Sequence, residues 1–423
     1  SPPPPSASPS PPPRSASPSP PPPSASPSPP PPSASPSPPP PSASPSPPPP
    51  SASPSPPPPS ASPSPPPCAS PSPPAPSASP SPCVGDRTLA EAFQQGCTEV
   101  TGDLTDGGAC GDVNLPHLRY VGGNPELLDG GSIRVLRNDN LASLTMNILR
   151  RVGESISVRY NDMLASLTMN NLLHLPITRA HGYCLRVEAN ANLTSLTMNN
   201  LENVYNNIDV ENNPNLLSLA MPYLGNVGGS IIVLGNPNLA SPTMNNLENV
   251  DGSFVVYNNA NLASLTMNRL ENVDESISVE ANFNLASLTM NRLENVGESF
   301  VVRGNDNLAS LTMNQLMIVI GDIDVYNNAN LASLTMNSLD NVGGGISVHT
   351  NANLASLTMN SLHTVWGVGE SISVRYNDNL TSLMMPFLDG TGGGIIVRAS
   401  PPLPPPSALP PLLTPPHTAL HRT

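Results

Sequence analysis

Hydroxyl and amide side chains at fixed spacing are the most repeated reactive groups in this 423-residue sequence. Eleven copies of a segment each begin with a leucine. Serine follows that leucine by two residues in all eleven copies, threonine by four in nine, and asparagine by six in nine. Because alternate residues of a β-strand point to one side, this spacing predicts a flat, uncharged face that could bind a partner. The candidate binding residues are Ser195, Thr197, Asn199, Ser264, Thr266, Asn268, Ser287, Thr289, Asn291, Ser310, Thr312, Asn314, Ser333, Thr335, Asn337, Ser356, Thr358 and Asn360.

Acidic and histidine side chains do not form a catalytic pattern. The glutamates recur at a turn, where stacked like charges repel one another; this favours a solvated acidic edge over a Ca²⁺ site. The repeating glutamates are Glu202, Glu248, Glu271 and Glu294. The histidines of the folded region occupy unrelated repeat positions, and repeated serine is not a nucleophile signature. We therefore predict a protein that is not an enzyme, with no catalytic residues, no cofactor and no metal site.

Five cysteines are present, and no two of them form a CxxC pair. Three lie close together at the start of the folded region, which predicts disulfide bonds at the end of a domain. Their connectivity stays open, and buried free thiols are the alternative. The disulfide candidates are Cys83, Cys97, Cys110 and Cys184. Two sequons, at Asn192 and Asn379, are candidate N-glycosylation sites of a secreted chain.

The prolines divide the chain into regions. Of 60 prolines, 43 lie in residues 1–82 and 9 in residues 401–423. Proline fixes φ near −65° and has no N–H, so such runs favour polyproline II and cannot build a packed core. We predict a disordered proline-rich stalk over 1–82, a cysteine-containing cap with an irregular first rung over 83–131, a folded repeat region over 132–400, and a disordered proline-rich tail over 401–423.

The folded region is strongly acidic. Residues 83–400 contain 14 arginines and all 30 acidic residues, a net charge of −16. Nucleic-acid binding needs basic side chains, and docking to anionic lipid needs them as well, so the charge argues against both. No stretch of about 18 apolar residues exists to predict a transmembrane helix. The oligomeric state cannot be predicted from these features.

The repeat period defines the fold. Eight of the ten intervals between opening leucines are 23 residues, and the other two are 29 and 26. Apolar residues alternate within short segments, which indicates strands rather than helices. A methionine five residues after the leucine and a valine six before it recur in every copy. Stacked copies would bury these columns as one core. The sequence thus predicts an all-β parallel β-solenoid of eleven 23-residue rungs.

Two resemblances follow from these motifs. The stalk repeat SPPPPSASP resembles hydroxyproline-rich, extensin-like wall glycoproteins. The segment L-x-x-L-x-M resembles leucine-rich repeats, and the whole unit with V-G-x-S-I-x-V-x-x-N is similar to receptor L domains and related fungal wall proteins. The latter resemblance implies a right-handed solenoid without catalytic residues, located at a cell surface or wall. The units here are more uniform and more numerous than those of receptor L domains, so no receptor ligand site is transferred.

Three functions are compatible with these features. The first is an extracellular, cell-wall or cell-surface structural or adhesive protein that displays the solenoid on its stalk. The second is an L-domain-like module that binds surface glycans or proteins. The third is an ice-binding protein that uses the Ser-x-Thr rows. Two irregular units, one around 175–184 and one around Trp366, are the candidates for a local site, because insertions in solenoids form loops.

Overall fold

The computed structural model describes residues 79–122, 130–176 and 182–398. It confirms the predicted fold class: parallel strands stack as a β-solenoid of about 13 turns. The stalk, apart from its last few residues, and the tail lie outside the described residues, as do Cys68 and residues 177–181 of the first irregular unit. One helix is present in the described part of the chain, Leu89–Gln95, and none there is long and apolar enough to cross a membrane.

Three strands make up each regular rung, and strands pair in parallel with their counterparts in neighbouring rungs. Two sheets have fourteen strands each, and the third side is divided into two sheets of six. We call the first the Asn-Val sheet, after its usual sequence. Its strands are Ser81–Cys83, Cys97–Val100, Tyr120–Val121, Arg151–Val152, His174–Leu175, Asn203–Val204, Asn226–Val227, Asn249–Val250, Asn272–Val273, Asn295–Val296, Ile318–Val319, Asn341–Val342, Thr364–Val365 and Gly390–Thr391.

The second fourteen-stranded sheet is the Ile-Val sheet, named for its buried residues. Its strands are Arg87–Thr88, Leu104–Thr105, Ile133–Leu136, Ile156–Arg159, Leu185–Glu188, Ile208–Glu211, Ile231–Leu234, Phe254–Tyr257, Ile277–Glu280, Phe300–Arg303, Ile323–Tyr326, Ile346–His349, Glu370–Arg375 and Gly394–Arg398.

The third side carries the Ser-Leu-Thr strands. The first six are Gly111–Asn114, Leu141–Thr145, Ser166–Thr168, Ser195–Thr197, Ser218–Ala220 and Ser241–Thr243. The second six are Ser264–Thr266, Ser287–Thr289, Ser310–Thr312, Ser333–Thr335, Ser356–Thr358 and Ser382–Met384.

The core consists of the predicted apolar columns. The opening leucines from Leu141 to Leu354 are 0% exposed, and the methionines five residues after them, from Met146 to Met359, are at most 1% exposed. In the last described rung, no further coil of the described residues covers these positions. Leu380 and Met385 are only partly buried, and Val397 is 52% exposed. Burial thus depends on the neighbouring rung, as expected for a core built by stacking.

One corner of each rung is held by a buried asparagine, three residues before the opening leucine. Asn259 is representative. Its backbone N–H donates to Oδ1 of Asn282 (3.0 Å), and its Nδ2 donates to the carbonyl of Val233 (3.0 Å). Its own Oδ1 accepts from the N–H of Asn236 at 3.0 Å. All eleven of these asparagines are at most 5% exposed. These bonds link each corner to the next and give the ladder a structural role.

The residue before each buried asparagine has left-handed backbone. Two of these residues are Gly235 and Gly304, and the other nine are not glycine, with φ between 53° and 58°. Left-handed backbone costs a non-glycine residue roughly 1–2 kcal/mol. The strain persists because the asparagine side chain satisfies the corner amides on both sides. The nine residues are Arg137, Tyr160, Ala189, Asn212, Asn258, Ala281, Asn327, Thr350 and Tyr376.

The N-terminal end of the solenoid is covered by the helix Leu89–Gln95. Thr88 caps it: its Oγ1 accepts from the N–H of Glu91 (3.2 Å), and the Glu91 carboxylate accepts from the N–H of Thr88 (2.9 Å). Gly96 ends the helix with φ 62°. A disulfide joins Cys83 to Cys97, linking the first two strands of the Asn-Val sheet, and Cys110 is also disulfide-bonded.

A proline divides the Ser-Leu-Thr side into its two sheets. Pro242 occupies the buried position that is leucine in neighbouring strands; it pairs in register with Leu219 on one side. On the other side, strands Ser241–Thr243 and Ser264–Thr266 belong to different sheets. Proline has no N–H to donate to the following rung, which accounts for the break.

We expect Pro242→Leu to join the two sheets and to raise the free energy of unfolding by about 1 kcal/mol, the net contribution of a restored backbone hydrogen bond. Chemical denaturation followed by far-ultraviolet circular dichroism measures the change. Pro237→Ala removes a proline from the adjacent turn and is the control. Equal effects of the two substitutions would show that the break does not depend on the missing N–H.

Candidate functional site

The predicted Ser-x-Thr-x-Asn face is present, and the structure divides it. Ser264 pairs in register with Ser287, and Thr266 with Thr289. The matching residues continue through strand Ser356–Thr358, so the candidates from Ser264 to Asn360 lie along one sheet. Ser195, Thr197 and Asn199 lie on the other side of the break at Pro242. The predicted candidates therefore lie on two sheets of the same side of the solenoid.

The hydroxyl groups of this face form few side-chain bonds. Within the described residues, Ser143 Oγ donates to Asp112 Oδ1 of the preceding rung (2.6 Å), and Ser287 Oγ bonds to Thr289 Oγ1 (3.4 Å) on the same strand. The asparagines at the end of the strand do form links: Asn291 donates to Asn268 at 3.2 Å and Asn360 to Asn337 at 3.0 Å. Most of these hydroxyls are thus available to water or to a ligand, and the Ser-Leu-Thr strands from Ser264 to Thr358 contain no acidic or basic residue.

The two sequon asparagines lie in an exposed corner ladder. Asn192 and Asn379 are both exposed. Asn379 Nδ2 donates to Asn353 Oδ1 at 3.3 Å. The sequon threonines Thr194 and Thr381 each donate their hydroxyl to an alanine carbonyl of the preceding rung, at 2.9 and 3.2 Å. Exposure makes both asparagines accessible to a modifying enzyme.

Cys184 is a correction to the sequence prediction. It was a disulfide candidate, but it is a buried thiol whose Sγ donates to the carbonyl of Pro176 at 2.8 Å. The reason is its place in the rung: it directly precedes strand Leu185–Glu188, at a corner where most rungs have serine, away from the cap.

The serines at this corner form a second polar ladder. Ser253 Oγ accepts from the N–H of Ser276 (3.4 Å) and donates to Glu275 (2.9 Å). Sequence reasoning missed this second polar ladder.

The repeated glutamates are partly neutralised by arginines of the next rung. Arg269 lies 3.5 Å from Glu248, and Arg292 lies 3.1 Å from Glu271. Among the described residues, no three His, Cys, Asp or Glu side chains come together in a group that could hold a metal ion. Both of these ion pairs are exposed, and such pairs contribute little to stability.

The outward positions of the Ile-Val sheet vary most between rungs. Glu280, Arg303, Tyr326 and His349 stand in register on four successive rungs. Arg303 bonds to both Glu280 and Tyr326, and the Tyr326 and His349 rings stack with centroids 4.6 Å apart. Burial lowers the pKa of His349, despite the nearby charge of Asp324. These groups satisfy one another, which indicates a structural role.

A recess on the outside of the Asn-Val sheet is the feature that sequence reasoning missed. It has a volume of about 420 Å³ and is lined by Tyr120, Arg150, Arg151, Leu173, His174, Pro176 and Tyr205. It adjoins the first irregular unit, which the sequence had marked as a candidate for a local site.

The charge distribution was a further signal that could have located this recess. Residues 119–186 contain eight of the sixteen arginines and only five acidic residues, within a chain of net charge −14. The basic residues of the chain are thus concentrated around the rungs that form the recess.

Comparison with known proteins adds no assignment. No model of a known protein family matches this sequence, and no curated protein matches it significantly.

Proposed function

We propose that this chain is a non-enzymatic structural or adhesive protein of an extracellular surface or cell wall, in which the solenoid is displayed on the proline-rich segment. One observation carries the proposal. The buried asparagines, which recur in all eleven copies, bond from rung to rung and hold the corners of the coil. A protein whose repeated polar groups serve its own architecture is suited to a mechanical or display role.

Two further features support an extracellular place. Disulfides persist mainly in oxidising compartments, and Cys83 and Cys97 are bonded at the cap. The sequon asparagines Asn192 and Asn379 are exposed. The resemblance of the stalk to extensin-like glycoproteins, and of the repeat to L domains, points the same way.

The location is tested on intact source cells. We expect external protease to remove the chain without lysis, while a cytosolic marker enzyme survives. Alkylation of thiols at the moment of lysis should leave Cys83 and Cys97 unmodified and, after unfolding, should label Cys184. If the chain resists external protease until the cells are lysed, and if Cys83 and Cys97 are alkylated because they are reduced, the proposal is contradicted.

The adhesive role is tested with the purified full-length chain and isolated wall material. We expect it to sediment with the walls and to resist washing with neutral buffer. Chain that has been unfolded, reduced and alkylated is the control for non-specific adsorption. Equal sedimentation of the two forms would remove the adhesive part of the proposal.

Ice binding is a second candidate, favoured by the in-register hydroxyls from Ser264 to Thr358, which form no bonds between rungs. If these rows order water, the purified chain should show thermal hysteresis, and the double substitution Thr266→Tyr and Thr289→Tyr should abolish it by disturbing the lattice. Ser347→Tyr on the Ile-Val sheet is the matched control. Absence of hysteresis in the unaltered chain eliminates this candidate.

A further inference from the structure

We propose that the recess lined by Tyr120, Arg150, Arg151, His174 and Tyr205 binds an acidic sugar unit, a uronate, of a surface polysaccharide. This rests on the proposed function, because it names the partner class of an extracellular adhesive protein. The recess has a volume of about 420 Å³, which falls within the range of roughly 300–1,000 Å³ that small-molecule sites occupy.

The first argument is a change of side chains along one column of the Asn-Val sheet. From Asn203 to Asn295 this column is asparagine on five successive rungs, and each amide donates to the one before it. On the three preceding rungs the in-register residues are Tyr120, Arg151 and His174. At the recess, tyrosine, arginine and histidine side chains, which can bind a ligand, therefore replace the asparagines that bond to one another.

The second argument is a reversal of charge in the neighbouring column. Backbone hydrogen bonds align Arg119, Arg150 and Leu173 with the later residues Glu202, Glu248, Glu271 and Glu294. The position that is acidic in most later rungs is thus arginine at the recess. Arg269 and Arg292 form ion pairs with glutamates. The exposed Arg150 side chain has no such partner within the described residues.

The chemistry of these groups selects the ligand. A guanidinium group is planar and matches a carboxylate with two parallel hydrogen bonds. Tyrosine supplies an apolar ring face together with a polar hydroxyl; Tyr205 is 49% exposed, so its ring is accessible. His174 bonds to Asn203 at 3.3 Å, and its imidazole lines the recess, where it can also contact a sugar hydroxyl. A ring that carries a carboxylate and several hydroxyls satisfies all of these groups together.

Isothermal titration of the full chain with trigalacturonate tests the proposal, with a neutral galactose trisaccharide as the comparison. We expect a Kd on the order of 10 µM to 1 mM for trigalacturonate, typical of a small site with few charged contacts. The neutral sugar should bind at least tenfold more weakly. Equal affinity for the two sugars, or no binding of trigalacturonate, would overturn the proposal.

Substitutions assign the binding to the recess. Arg150→Gln with Arg151→Gln should weaken trigalacturonate binding at least tenfold, and Tyr205→Ala should do the same, whereas Tyr205→Phe should keep the stacking and most of the affinity. Arg269→Gln and Tyr257→Ala, on other parts of the solenoid, should leave the Kd unchanged. Unchanged affinity in the double arginine variant would place the binding elsewhere and overturn the assignment.

Two further probes separate a sugar site from a general anion site. A sulfated disaccharide and inorganic phosphate should each bind at least tenfold more weakly than trigalacturonate. Equal binding of phosphate would show an anion site without sugar recognition, against the proposal. Because these probes are soluble and need no wall material, a failure here is distinguishable from failure of the proposed wall location.

Discussion

Asn282→Ala should lower the free energy of unfolding by about 2–5 kcal/mol, although it removes no apolar contact. Asn282 is 0% exposed. Its Oδ1 accepts from the N–H of Asn259 (3.0 Å), and its Nδ2 donates to the carbonyl of Val256 (2.9 Å). The substitution leaves both backbone groups buried and without this partner, and each unsatisfied buried group costs about 1–3 kcal/mol. Chemical denaturation with circular dichroism measures the loss.

Asn284→Ala is the matched control for this prediction. Asn284 stands two residues away in the exposed ladder, where its Nδ2 donates to Asn261 at 3.3 Å. Water can replace that bond, so we expect a change within about 0.5 kcal/mol. Hydrogen exchange should show the loss of protection in Asn282→Ala centred on its own and adjacent rungs, because solenoid rungs contact only their neighbours. Equal effects of the two substitutions would show that the buried ladder does not hold the corner.

Phe300→Ala is expected to lower the free energy of unfolding by about 3–5 kcal/mol, the usual cost of removing a buried phenylalanine. Phe300 is 0% exposed and stands in register between Ile277 and Ile323. The alanine would leave a cavity that the closely stacked neighbouring rungs cannot fill. Thermal and chemical unfolding of the purified chain measure the loss.

Two controls accompany this prediction. Phe283→Ala removes a side chain that is 48% exposed, and we expect it to change stability by less than about 1 kcal/mol. Phe300→Ile places in the column the residue that both neighbours have, at an expected cost below about 1.5 kcal/mol. A cost of Phe300→Ile as large as that of Phe300→Ala would mean that the column requires an aromatic ring rather than apolar volume.

Phe300→Ala and Asn282→Ala affect two different kinds of contact between rungs. Phe300 belongs to the apolar columns, which supply the driving force for stacking, and Asn282 belongs to the corners, which satisfy the backbone where it turns. Neither group can be satisfied within one rung. The apolar columns and the corner asparagines therefore both couple each rung to the next. A substitution in either group should weaken one rung, so that the two parts of the solenoid unfold separately and the unfolding transition broadens.

The sequence alone determined the rung and its core columns. The reason is that a 23-residue period with Leu, Met, Val and Asn at fixed places leaves one arrangement in which every copy buries its apolar side chains and satisfies its corner amides. It also located the outward Ser-x-Thr-x-Asn residues, because alternation along a strand is a local property.

The tertiary structure alone decided which residues of different rungs come together. Pro242 lacks the backbone N–H that the leucines beside it have, and the Ser-Leu-Thr side is divided into two sheets there, an effect that depends on pairing with the next rung. Cys184 is kept at a buried corner of its own rung, and Tyr120, Arg151 and His174 become neighbours although 23 to 31 residues separate them in sequence. These contacts depend on the register between successive rungs. Irregular units shift that register, and the sequence of a single repeat does not specify it.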